Sequence, residues 1–193
     1  MKADKIELFM KLAGQTVSQD FRNGSDHERK LGAQLLLSEV LEYVIHGLGV
    51  VPSVNGTPIT EPNRLEYGVN GDAPSQLEMI DGLADVAYTM FWNAVAFGVP
   101  LEEAFELVCD NNLEKFVALS DWQKGEGTLE AADWHCDREV AWPEEVCHVE
   151  VLKVGADYFA VGKDQSGKVR KPSHYRSVNL ESLAQESRRV ANA

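Results

Sequence analysis

The chain has 193 residues, with 31 acidic and 18 basic side chains and a formal charge of −13. That length suits one domain with an appendage, and a core that needs no disulfides. The acidic balance argues against a nucleic-acid polymer as partner, since binding the phosphate backbone relies on clustered Lys and Arg. No apolar run approaches the ~20 residues that span a bilayer, so no membrane is expected.

Three cysteines, Cys109, Cys136 and Cys147, do not make an even secreted-type framework, and the start MKADKIELFM is charged where a signal peptide is apolar. A cytoplasmic protein is the expectation. In chain order, Ile6, Phe9, Met10 and Ala13 recur at helical spacing within residues 3–14, and Gly14 supplies a stop. Leu31, Leu35, Leu36, Val40, Tyr43 and Val44 predict a longer helix over 26–48, capped by Ser25 or Asp26 and closed by Gly47 and Gly49. Residues 50–73 mix proline and glycine with polar side chains and read as a loop or short hairpin, a candidate lid. Pro74 opens a third helix whose broad apolar face runs from Leu77 to Ala96. After Gly98 and Pro100 a fourth helix is predicted over 101–119.

Periodicity stops near Trp122, and 123–146 reads as an irregular insertion. The runs VCHVEVLKV and YFAVGK, with GAD and DQSGK at the turns, predict a small antiparallel hairpin or meander within 147–180 that delivers a basic tail loop. Residues 181–193 are a peripheral C-terminus. The expected organisation is therefore a helical core over 1–122, followed by these three parts.

The chemistry lies in two acidic helices and one basic loop. Glu39 and Glu42 are three apart and Asp81 and Asp85 four apart, so each pair shares a helix face. Antiparallel packing of the two helices would gather four carboxylates, an all-oxygen set suited to Mg²⁺ or Mn²⁺. Glu78, three residues before Asp81, is an alternative ligand. The competing reading is that both pairs are solvated charges. Against it, Glu39 adjoins the run Leu35-Leu36-Leu37, and the aspartates lie in the most apolar helix, where carboxylates need partners. Downstream, residues 167–176, GKVRKPSHYR, supply cations and hydroxyls, a phosphate-binding character. His135, Cys136, Cys147 and His148 raise a structural zinc site as a further option, although adjacent ligands in each pair are unusual.

Taken in order, LLLSEVLEY, DGLADVAYTMFWNAVAFGVPLEEAFELVCDNNLEKF and GKVRKPSHYRSVNL resemble the all-α nucleoside triphosphate pyrophosphohydrolases, the MazG-like superfamily. The resemblance covers roughly residues 5–122 and 167–180. It implies a mainly α fold, a helical bundle with a small C-terminal β-hairpin and a basic tail loop. It also implies metal-dependent hydrolysis of a nucleoside triphosphate to the monophosphate and pyrophosphate, by a homodimer or homotetramer. Viral members that process dGTP make a purine deoxynucleotide the substrate guess.

Carried over by motif, Glu39, Glu42 and Asp85 are metal ligands, with Glu39 or Glu42 also the catalytic carboxylate that orients water or accepts its proton. Asn112 and Lys115 match the contacts at the end of the fourth helix, and Lys168, Lys171 and Tyr175 the tail motif, all implied to bind the substrate. Two positions depart. Ser38 stands where the pattern has the first Glu of a doublet, and Gly82 where it has a Glu three before Asp85. Asp81 substitutes as fourth ligand, with Glu78 in reserve. The rival is a non-catalytic helical module that binds nucleotides or a protein.

Overall fold

A computed structural model describes residues 3–136 and 140–185. The chain divides into two compact units, Met1–Val17 with Val86–Ala193, and Ser18–Asp85.

In the first unit, helices α1 (Asp4–Leu12) and α4 (Leu101–Leu113) accompany a four-stranded antiparallel sheet in the order β3-β6-β5-β4. The strands are β3 (Val117–Leu119), β4 (Gly127–Thr128), β5 (His148–Val154) and β6 (Asp157–Lys163). The alternating apolar residues of β5 and β6 pair as predicted, Val149 with Gly162 and Val151 with Ala160, around the turn at Gly155. Side chains alternate across a strand, so the hairpin has two distinct faces, and both are covered. On one, Val149, Val151 and Ala160 are fully buried with Leu119, Trp122, Cys136 and Val146. On the other, Val161 packs with Leu12, Ala13, Phe116 and Val169. Each fully buried valine contributes about 1.5–3 kcal/mol relative to exposure.

Polar groups inside this unit are paired. The indole N–H groups of Trp122, Trp134 and Trp142 donate to the carbonyls of Gly125, Leu129 and Trp134 at 2.6, 3.2 and 3.0 Å. The Trp142 ring lies flat against β6 at Gly162, where a Cβ would come within 2.4 Å of Cε3. Gly162→Ala is therefore expected to cost about 1–3 kcal/mol of stability through overpacking, measured as a lower denaturant midpoint. An unchanged midpoint would show that Trp142 moves aside freely.

In the second unit, α2 (Asp26–Glu42) begins at a capping box: Ser25 Oγ accepts the Glu28 N–H at 3.2 Å, and the Ser25 N–H donates to Glu28 Oε2 at 2.8 Å. A π-helical turn, Tyr43–Gly47, extends it to the predicted stop. The proline-rich stretch forms a two-stranded hairpin, β1 (Ser53–Val54) with β2 (Thr57–Pro58), and a 3₁₀ turn at Pro62–Arg64 packed on α2. The helix α3 (Gln76–Phe97) starts two residues after Pro74. No helix among the described residues is long and apolar enough to cross a membrane.

The expected mainly α bundle is not what forms. The described residues build two sheets, of two and four strands, and the core sits in the larger one. Among the described residues α1 supplies Leu12 to that core, α2 buries Ser38 and Leu41, and α3 buries nothing. The fourth helix ends at Leu113, not Leu119, because Val117, Ala118 and Leu119 pair with Ala160, Phe159 and Tyr158 of β6. Trp122 packs in the sheet's core, and within the 123–146 stretch β4 joins the sheet. Beyond Leu180 a helical turn occupies 181–185, and the remainder of the expected peripheral C-terminus lies outside the described residues.

Candidate functional site

Glu39 and Glu42 project from the last turns of α2, and Asp81 and Asp85 from the first half of α3; all four are exposed. Glu78 sits in the first turn of α3, where its N–H donates to Ser75 Oγ at 3.3 Å and its charge faces the positive end of the helix dipole. Ser38, at the position of the missing Glu, is buried, and its hydroxyl donates back to the Leu35 carbonyl at 3.3 Å. Among the described residues no three His, Cys, Asp or Glu side chains are grouped closely enough to hold a metal ion. The four carboxylates are therefore not gathered into one ligand set among the described residues of this chain. The helical spacing does place each pair on one face, but the two faces are not brought together.

The tail loop and the end of α4 do converge. Tyr175 donates its hydroxyl proton to Asn111 Oδ1, and the Asn111 amide donates to the Arg176 carbonyl at 2.7 Å and to Glu114 Oε2 at 3.3 Å. Asn111 is buried and spans 64 and 65 residues of sequence in these two bonds. Lys171 Nζ stands 4.8 Å from the centroid of the Tyr175 ring, a cation–π arrangement. The neighbouring Asn112 accepts from Lys115 Nζ at 2.6 Å, and Lys115 also lies 5.6 Å from the Phe9 ring centroid. Upstream, Ser173 exchanges two bonds with Ala141, at 2.8 and 3.0 Å, so the loop is held at both ends. Burial, with the Glu114 charge second, raises the Tyr175 phenol above its ordinary pKa and keeps it a neutral donor.

Lys168 occupies a separate position, the turn after β6. Its backbone N–H donates to Asp164 Oδ1 at 3.0 Å, alongside the N–H and hydroxyl of Ser166, and Arg170 closes on Oδ2 at 2.7 Å. Burial alone would raise the Asp164 carboxyl, but these hydrogen bonds and the Arg170 charge hold it below its usual value. Asp164 is thus the structural centre of the DQSGK turn.

Of the substrate-binding residues expected from the resemblance, Tyr175 reaches the end of α4 through Asn111 with Lys171 over its ring, and Asn112 pairs separately with Lys115. Asn111, which receives the Tyr175 hydroxyl, was not among those predicted. Its only signal was an Asn doublet in a closing helical turn, where short amides capture nearby groups. Asn111→Ala is expected to cost about 1–3 kcal/mol, because the Tyr175 hydroxyl and the Arg176 carbonyl lose a buried partner. Faster hydrogen exchange confined to residues 171–177 would identify the loss; unchanged protection would contradict the clamp.

The zinc option gains nothing from the geometry. Cys136 is buried in the sheet core, Cys147 Sγ lies 3.5 Å from His148 Nδ1, and among the described residues no three-ligand set forms. The chain matches no protein-family model, and no curated protein or solved structure is significantly similar to it.

Proposed function

We propose that the chain is a cytoplasmic, Mg²⁺- or Mn²⁺-dependent pyrophosphohydrolase. It would split a deoxynucleoside triphosphate, a purine nucleotide such as dGTP, into the monophosphate and pyrophosphate, and act as a homo-oligomer. The observation that carries this reading is the Tyr175–Asn111–Arg176 clamp. It ties the basic loop to α4, where the next residue, Asn112, pairs with Lys115, and this supports reading the loop as a phosphate-binding tail. A bound divalent ion would neutralise phosphate charge, and the chain's own groups supply the remainder. Lys115 and Lys171 offset charge on the triphosphate and on the departing pyrophosphate. Glu39 and Glu42, both solvent-facing, orient a water or accept its proton.

The test is a panel of canonical and modified nucleoside triphosphates incubated with purified protein and either cation. Pyrophosphate release with a preference for one base is the expected outcome. If no common nucleotide is hydrolysed with Mg²⁺ or Mn²⁺, the enzyme reading fails and a binding module takes its place.

A further inference from the structure

An asparagine followed by glycine is prone to lose its side-chain amide, because glycine has no Cβ to shield the nitrogen that attacks it. The pair occurs three times in this chain, at Asn23, Asn55 and Asn70. The structure treats the three differently.

At Asn70 the side chain is held. Its Nδ2 donates to Asp72 Oδ2 at 2.9 Å and its Oδ1 accepts the Asp72 N–H at 3.1 Å, a closed local ring that fixes the amide in place. At Asn23 the flanking backbone is held instead. Arg22 donates to Glu28 Oε2 at 3.1 Å, and Ser25 donates to the same oxygen through its N–H and its hydroxyl at 2.8 and 2.9 Å. A Cβ on Gly24 would already touch the Glu28 and Arg29 side chains, so Gly24 is packed between two anchored neighbours.

Asn55 has neither restraint. Asn55 and Gly56 are the central residues of the β1–β2 turn, at φ 49° and 78°, the paired left-handed conformation that a type I′ two-residue hairpin loop requires. The Asn55 side chain is exposed, and among the described residues no hydrogen bond holds it. A Cβ placed on Gly56 would meet nothing within 4 Å. The hairpin behind the turn is thin. Ser53 pairs with Pro58 and Val54 with Thr57, and one further bond runs from the Ile59 N–H to the Pro52 carbonyl at 2.8 Å. Pro52 and Pro58 have no N–H to add to this ladder. A two-stranded hairpin of this kind is marginal in water and opens at little cost.

We propose that Asn55 is a self-modification site, the Asn-Gly of this chain that deamidates from the folded state. When the turn opens, the Gly56 nitrogen gives up its proton and attacks Asn55 Cγ. The new C–N bond closes a five-membered succinimide, and the Cγ–Nδ2 bond breaks as the side-chain nitrogen leaves as ammonia. Water then opens the ring. Cleavage at Cγ leaves aspartate, and cleavage at the main-chain carbonyl leaves isoaspartate, with the chain running through Cγ. No oxidant, reductant or cofactor enters the sequence. Both products add a negative charge, and isoaspartate also adds a methylene to the backbone. A two-residue turn cannot absorb that extra atom, so the pairing of Val54 with Thr57 is lost in the stretch read as a candidate lid.

The test incubates the full-length protein in mildly alkaline buffer, folded and, in parallel, in denaturant. Peptide mass spectrometry with fragmentation that distinguishes isoaspartate follows the three asparagines over time. In the folded protein Asn55 is expected to convert at least about tenfold faster than Asn23 or Asn70, the effect of ~1.4 kcal/mol of restraint at each held site. In denaturant that lead should collapse. Equal rates in the folded protein, or fastest conversion at Asn23 or Asn70, would overturn the proposal. So would an Asn55 that stays intact in the folded protein while the denatured chain converts. The same lead for Asn55 in denaturant would overturn it too, since neighbouring sequence and not the fold would then set the order.

Discussion

Replacing Glu42 by Gln is expected to lower pyrophosphate release at least about 100-fold, while the unfolding midpoint stays where it was. Gln keeps the size and hydrogen-bonding reach of the side chain but removes its charge. A carboxylate that binds a cation or accepts a proton from water cannot be replaced by an amide without losing that role. Stability should not follow, because Glu42 is exposed near the end of α2, and substitutions at such positions usually stay within about 0.5 kcal/mol. The two readouts, steady-state turnover and a denaturant titration, must therefore separate. Turnover equal to that of the wild type would remove Glu42 from the reaction.

The second large effect is structural. Glu150→Ala is expected to destabilise the sheet unit by about 3–5 kcal/mol, because it strands the Lys163 ammonium next to Val161 and under the end of α1. Lys163 and Glu150 form an ion pair between neighbouring strands, with side chains only 11 and 22 % exposed. Gly14 closes over it in the left-handed conformation (φ 63°), and a Cβ there would lie 3.2 Å from Lys163 Nζ. The loss comes from the unpaired buried charge more than from the pair's own strength. The double replacement Glu150→Leu with Lys163→Met should accordingly recover most of the stability. Equal destabilisation by the single and double variants would show that apolar packing cannot substitute for the pair.

These two residues also mark where the sequence was informative. Glu42 lies in a helix whose period, Ser25 cap and glycine stop were all readable, and the capping box formed as local chemistry dictates. The β5–β6 hairpin was equally readable from its alternation and its turn residues. The four-stranded sheet was not, because Val117–Leu119 continues an apolar helical period and β4 is two residues long. A strand of that kind is decided by the edge it meets, not by its own propensity. Without that sheet, α3 in particular reads as part of a helical core, although it buries nothing. The carboxylate pairs were legible as faces because spacing sets them. Whether two faces meet depends on long-range packing that no local pattern encodes. The tail was legible as cations and a tyrosine, but its anchor Asn111 acts through contacts more than sixty residues away in sequence.

The proposed activity is cleavage of a triphosphate between its first and second phosphates with the help of a divalent ion. Phosphorus NMR of dGTP incubated with the purified protein and Mg²⁺ measures it most directly. The account predicts dGMP and pyrophosphate in equal amounts, and none of either when EDTA is present. Production of dGDP with orthophosphate, or an unchanged dGTP spectrum alongside other intact triphosphates tested with Mg²⁺ and Mn²⁺, would contradict it.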